Sequence, residues 1–132
     1  MRTKPSALQF WKSICFAIFI FIISAVPGQD VPELPFWNFD KLVHAAIYFC
    51  LAAIFYFDLQ KLARHGFWRR HVHAVVFFSC ISYGGMLELL QAYVFIDRTG
   101  SWFDLLANAL GVVAAGALVN AIKPTLRRSK EA

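Results

Sequence analysis

Glu88 stands between Leu87, Leu89 and Leu90, the one formally charged side chain in an apolar run from Val72 to Phe95. A carboxyl group in such a run must be protonated or paired, and His44, Arg98 and Lys41 are the partners the chain offers. A Glu88–His44 or Glu88–Arg98 contact is expected, titrating as one coupled unit. Gln91 follows Glu88 by three positions, on the same helical face. Asp40-Lys41-x-x-His44 sets an acid and an imidazole one turn apart, and Asp104 and Asn108 repeat that spacing beyond Arg98. Imidazole beside carboxylates is the equipment of general acid–base chemistry. Lysine and arginine beside amide side chains are equipment for holding an anionic group. Simpler roles compete at several positions. Asp104 lies three residues after Ser101, as in a capping box. Asp40 would complement the positive end of a helix. Gln91 and Asn108 would serve as hydrogen bonds between helices.

The elements carrying these residues are expected to be membrane spans. Of the 132 residues, 59% are apolar and 16% charged, where soluble domains average about 25% charged. The mean hydropathy is +0.56. A span needs about 20 mainly apolar residues, and four segments qualify: 8–26, 40–57, 72–95 and 102–122. The predicted fold is therefore an all-α integral membrane protein, one domain over 1–132, with four transmembrane helices in a compact bundle. Pro27 and Pro124 read as helix terminators. Trp11, Trp37 and Trp102 read as interfacial anchors, and Lys12 as a side chain reaching for the headgroups.

Basic residues orient the bundle. Arg2, Lys4 and Lys12, then Lys61, Arg64, Arg69 and Arg70, then Lys123, Arg127, Arg128 and Lys130 make eleven of the thirteen Lys and Arg, all on one side. Only Lys41 and Arg98 fall on the other side. The positive-inside rule puts both termini and the second link in the cytoplasm. A basic start before an apolar run also describes a cleaved signal peptide, but Ser24-Ala25-Val26-Pro27 is a poor cleavage site, so the first segment is read as an uncleaved span. The net charge of +5 serves topology and forms no nucleic-acid face.

On these spans His44 lies about 6 Å below the outer end of its helix, Glu88 about 10 Å and Asn108 about 9 Å. Asp40, Lys41, Asp97, Arg98 and Asp104 surround this layer, which helices two, three and four contribute in the outer half of the membrane. Ionisable residues at such depth normally face a bundle interior and mark function. Cys15, Cys50 and Cys80 read as packing residues. His65, His71 and His73 read as parts of a solvated inner link, and neither metal nor cofactor is expected. Gly84, Gly85, Gly111, Ala115 and Gly116 read as packing positions, Gly84-Gly85 also as a bend. Phe39–Ala45 and Phe103–Ala109 echo each other, as two helical hairpins related about the membrane normal would.

Asp40-Lys41-x-x-His44 with Tyr48, then Glu88-x-x-Gln91, Arg98 and Asp104-x-x-x-Asn108-x-x-Gly111, resemble in order and spacing the signatures of the VanZ-like family, over residues 36–120. The family's Pro-Gly-Arg turn is here Ile96-Asp97-Arg98. The resemblance implies a multi-pass protein of the bacterial cytoplasmic membrane, linked to teicoplanin susceptibility, with no established catalytic mechanism. The expected function is binding, by Lys41, His44, Glu88, Gln91, Arg98, Asp104 and Asn108, of an envelope lipid, a lipid-linked peptidoglycan precursor or an envelope protein. Homo-oligomers are compatible with it. The alternative is an intramembrane enzyme using His44 with Asp40, Glu88 or Asp104, although no serine or cysteine nucleophile is expected at that depth. Transport would need polar residues in the inner half, and none are expected there.

Overall fold

The computed structural model describes residues 7–30, 39–59 and 67–128. The chain is all-helical. A short 3-10 turn at Ala7–Phe10 leads into α1 (Trp11–Ser24), followed by α2 (Phe39–Leu59), α3 (Phe67–Tyr93) and α4 (Trp102–Arg128). Trp37, Pro32 and Pro35 of the first link, and Lys61, Arg64 and His65 of the second, lie outside the described residues.

Three helices, Phe39–Leu59, Arg70–Tyr93 and Trp102–Ile122, are long and apolar enough to cross a membrane. The segment expected as the first span is shorter. Its α-helix has 14 residues, fewer than the roughly 20 a full crossing takes. It ends at Ser24, just before Pro27, which cannot continue a helix. Pro124 was expected to end the last helix, yet α4 continues to Arg128. A proline removes the bond to the carbonyl four residues back and crowds that carbonyl, which kinks a helix without always ending it. The third helix begins five residues earlier than the apolar run implies, because Phe67–His71 continues it as a basic, aromatic turn.

Cross-helix contacts give the topology. His44 meets Asn108 and Ala45 meets Gly111, so α2 and α4 run parallel. Ser13 meets Asp58 and Tyr56 meets His73, so α1 and α3 run antiparallel to α2. The two echoing segments thus face each other, with Asp40 and His44 beside Asp104 and Asn108. A Cβ at Gly111 would run into the Ala45 carbonyl, which makes glycine the residue that lets these two backbones touch. Leu51, Ala52, Val76, Cys80, Leu87, Val112, Ala115 and Val119 form the buried core. Ile18, Phe78, Leu110 and Val113 point outward and are at least half exposed. Cys15 and Cys50 also face outward, unlike the buried Cys80. Trp11 and Trp102 are exposed at the starts of α1 and α4.

At the end where α2 leaves and α3 begins, the polar residues are tied across helices. Tyr56 Oη and His73 Nδ1 lie 2.8 Å apart, and His73 Nε2 lies 3.0 Å from Asn120 Oδ1. Asp58 accepts both the backbone N–H and the hydroxyl of Ser13, at 3.1 and 2.6 Å. His73 is therefore a half-buried inter-helix link and not part of a solvated segment, and this half of the bundle does carry polar residues. Among the described residues the neighbouring His71 bonds only within its own helix, to the Phe67 carbonyl.

Candidate functional site

The opposite end of the bundle collects the predicted site. Asp40 and Lys41 open α2, and Asp40, His44 and Tyr48 follow at four-residue intervals on one face. Glu88 and Gln91 come from the last turns of α3, Arg98 from the turn, and Asp104 and Asn108 from α4. All seven predicted ligand-binding residues, with Asp40, line two cavities that share Asp40, His44, Gln91 and Arg98. The upper cavity, about 420 Å³, is a polar mouth between Asp40, Lys41, His44, Gln91, Arg98 and Asp104. Below it lies a smaller cavity of about 190 Å³, reaching Tyr48, Glu88 and Asn108.

His44 is the centre of the arrangement. Its Nδ1 lies 3.2 Å from Asn108 Oδ1; because that oxygen accepts, Nδ1 carries a proton. The same nitrogen is 4.0 Å from Glu88 Oε1. Its Nε2 faces Asp40 Oδ1 at 3.8 Å and Asp104 Oδ2 at 4.0 Å. The expected Glu88–His44 contact is present, whereas Arg98 makes no ion pair within 4.0 Å among the described residues. Lys41, a predicted ligand-binding residue, pairs with Asp104 at 3.2 Å and lies 4.0 Å from Asp40.

The capping box is only half made. Asp104 N–H donates to Ser101 Oγ at 3.4 Å, but the reciprocal donor, Ser101 N–H, goes to Glu88 Oε2 at 2.8 Å. Glu88 thereby takes over one of the unpaired donors at the start of α4, leaving the Asp104 carboxylate to Lys41 and His44. The turn before α4 is equally constrained. Asp97 has φ 52°, a left-handed conformation that glycine adopts freely and aspartate tolerates. A Cβ at Gly28 would run into the Asp97 carbonyl, and one at Gly100 into the Glu88 carbonyl.

Three contributors, Ser24, Ser101 and Tyr48, stood outside the predicted ligand-binding set, although Tyr48 belongs to the family signature quoted above. Ser24, on α1, accepts from Gln91 Nε2 through its carbonyl at 3.4 Å; backbone acceptors have no residue signature. Ser101 and Ser24 both line the cavities, where no serine was expected, although neither hydroxyl bonds to His44 among the described residues. Tyr48 could have been found from its spacing, one turn beyond His44. Asp40, His44 and Asp104 offer ligand atoms within 4.8 Å of one another, a spacing a metal ion could draw together. Lys41 already holds a positive charge against both carboxylates.

Beside the polar cavities, a mainly apolar groove of about 330 Å³ runs between α3 and α4. It is lined by Leu89, Ala92, Tyr93, Trp102 and Leu105 and bounded inward by Glu88 and Ser101. The two spaces share these residues, so polar and apolar parts of one molecule could be held side by side.

No family model matches the chain, and no solved structure matches it. The chain is similar to an uncharacterized protein of Schizosaccharomyces pombe, 34% identical over 113 residues, a match covering 81% of this chain and 64% of the yeast protein. The match thus spans less than two thirds of that relative's length.

Proposed function

We propose that the chain is a multi-pass membrane protein that binds the phosphorylated headgroup of a membrane lipid or lipid-linked precursor in the polar mouth, with an acyl chain in the adjoining groove. The observation that carries this reading is Arg98. It lines both polar cavities without an ion pair among the described residues, while the Asp40, Glu88 and Asp104 carboxylates face Lys41, His44 or Ser101 instead. A guanidinium in that position suits a phosphate oxygen, and the Asp40 carboxylate at the rim suits an ammonium group of a zwitterionic headgroup.

Outward-facing Ile18, Phe78, Leu110 and Val113 support immersion in lipid. The Lys and Arg distribution supports cytoplasmic termini and an outward-facing mouth. The VanZ-like resemblance supplies a setting, the bacterial cytoplasmic membrane, and a phenotype, teicoplanin susceptibility. The left-handed Asp97 supports it, since the family's turn has glycine there. Phospholipid headgroups would also be available in a yeast membrane, so the ligand class does not depend on that setting.

Binding of phosphatidylglycerol to the purified protein in detergent, measured by native mass spectrometry, tests the reading. Arg98→Gln should weaken it by about tenfold or more, as expected for a lost charge-assisted hydrogen bond, with little change in melting temperature. Unchanged affinity would remove the reading. Orientation is tested by labelling Thr99→Cys, in a background lacking the native cysteines, with a membrane-impermeant maleimide applied from outside.

An intramembrane enzyme is the second reading. It rests on His44, whose Nε2 faces Asp40 and Asp104 and whose Nδ1 faces Asn108 and Glu88, as a general base would be held.

A further inference from the structure

In the polar mouth, three atoms of metal-ligating type converge from two helices. His44 Nε2 lies 3.8 Å from Asp40 Oδ1 and 4.0 Å from Asp104 Oδ2. Each of the three side chains offers an atom within 4.8 Å of the others. Both His44 separations are too long for a hydrogen bond, which an N–H donor makes at about 2.7–3.2 Å. An imidazolium would therefore hold its Nε2–H short of either acceptor.

The opposite side of the ring decides what Nε2 presents. Nδ1 donates to Asn108 Oδ1 at 3.2 Å, so a neutral imidazole turns the Nε2 lone pair toward the two carboxylates. Electron-rich atoms facing one another in this way repel unless a cation joins them. Asp104 is 7% exposed, and among the described residues its carboxylate accepts a hydrogen bond only at Oδ1. Its Oδ2 is thus an unpartnered oxygen on a buried side chain, directed at the imidazole. Lys41 does not serve this cluster. Its Nζ approaches Asp104 through Oδ1 and Asp40 through Oδ2, in each case the oxygen not facing His44.

A histidine that binds metal characteristically donates its second ring N–H to an oxygen acceptor, as His44 does to Asn108. One imidazole nitrogen with two carboxylate oxygens suits zinc and similar first-row divalent ions. Ligand atoms on a tetrahedral zinc lie about 3.3–3.6 Å apart, from bonds of about 2.0–2.2 Å. The His44 separations are wider by a fraction of an ångström, and the Asp40 side chain, 56% exposed, has room to turn inward. All three residues line the mouth, which gives an ion a polar route of entry. We propose that Asp40 Oδ1, His44 Nε2 and Asp104 Oδ2 form a zinc-type divalent metal site. Three protein ligands leave a fourth position for water or for a group entering the mouth. The site goes beyond the headgroup reading and does not depend on it.

The test is calorimetric titration of zinc chloride into the untagged full-length protein in detergent, stripped with a chelator and free of added lipid. One zinc should bind per chain with a Kd of about 1 µM, weaker than four-ligand structural sites. His44→Ala should abolish binding, and Asp40→Asn should weaken it about tenfold or more. His71→Ala should leave it unchanged, since His71 bonds within its own helix, away from the mouth. Cobalt(II) in place of zinc should give visible absorption bands that His44→Ala removes. No zinc binding by wild type overturns the site and makes the cluster a plain ion pair. Affinity undiminished in Asp40→Asn, or lost in His71→Ala, also overturns it. Wild type and Asp40→Asn, a change at a half-exposed side chain, decide the matter even if His44→Ala does not fold. Because no lipid is present, failure here leaves the headgroup reading standing.

Discussion

The carboxylate of Glu88, near the end of α3, accepts the backbone N–H of Ser101, one residue before α4 begins, at 2.8 Å. The bond closes the turn between the two helices and holds the apolar groove beside the polar mouth. Its other oxygen, Oε1, lies 4.0 Å from His44, so one side chain joins α2, α3 and the start of α4. Glu88→Gln preserves an acceptor for Ser101 and should stay close to wild type in thermal unfolding. Glu88→Ala strands the Ser101 donor and should cost about 1–3 kcal/mol. Equal melting temperatures for the two variants would contradict the bond.

The positions of α2 and α4 were legible because about 20 apolar residues leave few alternatives in a chain this size. The first helix was less so, since an apolar run from Leu8 to Val26 does not reveal that its first turn is 3-10 and its last residues a turn. Site residues were legible as types at a depth: an ionisable group among leucines is conspicuous. Their pairing was not. Lys41 and Arg98 are equivalent in sequence, yet one is held by Asp104 and the other is not, a difference set by helix register. Ser101 meets Glu88 through backbone, which no residue type announces. The His73 network was hidden because its three side chains lie on three different helices.

That network makes the second prediction. His73 receives Tyr56 Oη at Nδ1 and faces Asn120 Oδ1 with Nε2, so its tautomer is fixed as Nε2–H. Tyr56→Phe and Asn120→Ala should each lower stability by about 1 kcal/mol. Because both act through one imidazole, the double variant should show a coupling of about 0.5 kcal/mol or more. Strict additivity in a detergent unfolding series would mean that the two bonds are independent.

Asp97 provides a third. Its φ of 52° lies where a residue without a Cβ is relieved of strain. Asp97→Gly should leave the melting temperature unchanged or raise it, whereas Asp97→Val should lower it, since a β-branched residue is a clear outlier there. A lower melting temperature for glycine than for valine would show that the aspartate side chain, and not the backbone, sets this turn.

The α2–α4 contact can be tested by two glycines that differ only in what surrounds them. A methyl group at Gly111 would meet the Ala45 carbonyl and the backbone at Phe49, whereas at Gly85 it would meet nothing within 4 Å. Both positions are inside helices, so alanine improves helix propensity at each by about 1 kcal/mol. At Gly85 that gain stands alone, and Gly85→Ala should be neutral or stabilising. At Gly111 two backbones must separate to admit the methyl. Gly111→Ala should therefore be destabilising despite its better propensity. It should also disturb the His44–Asn108 bond, less than one turn away. If Gly111→Ala matched Gly85→Ala in thermal unfolding, the close approach of α2 and α4 would be wrong, and the alignment of Asp40 and His44 with Asp104 and Asn108 would lose its basis.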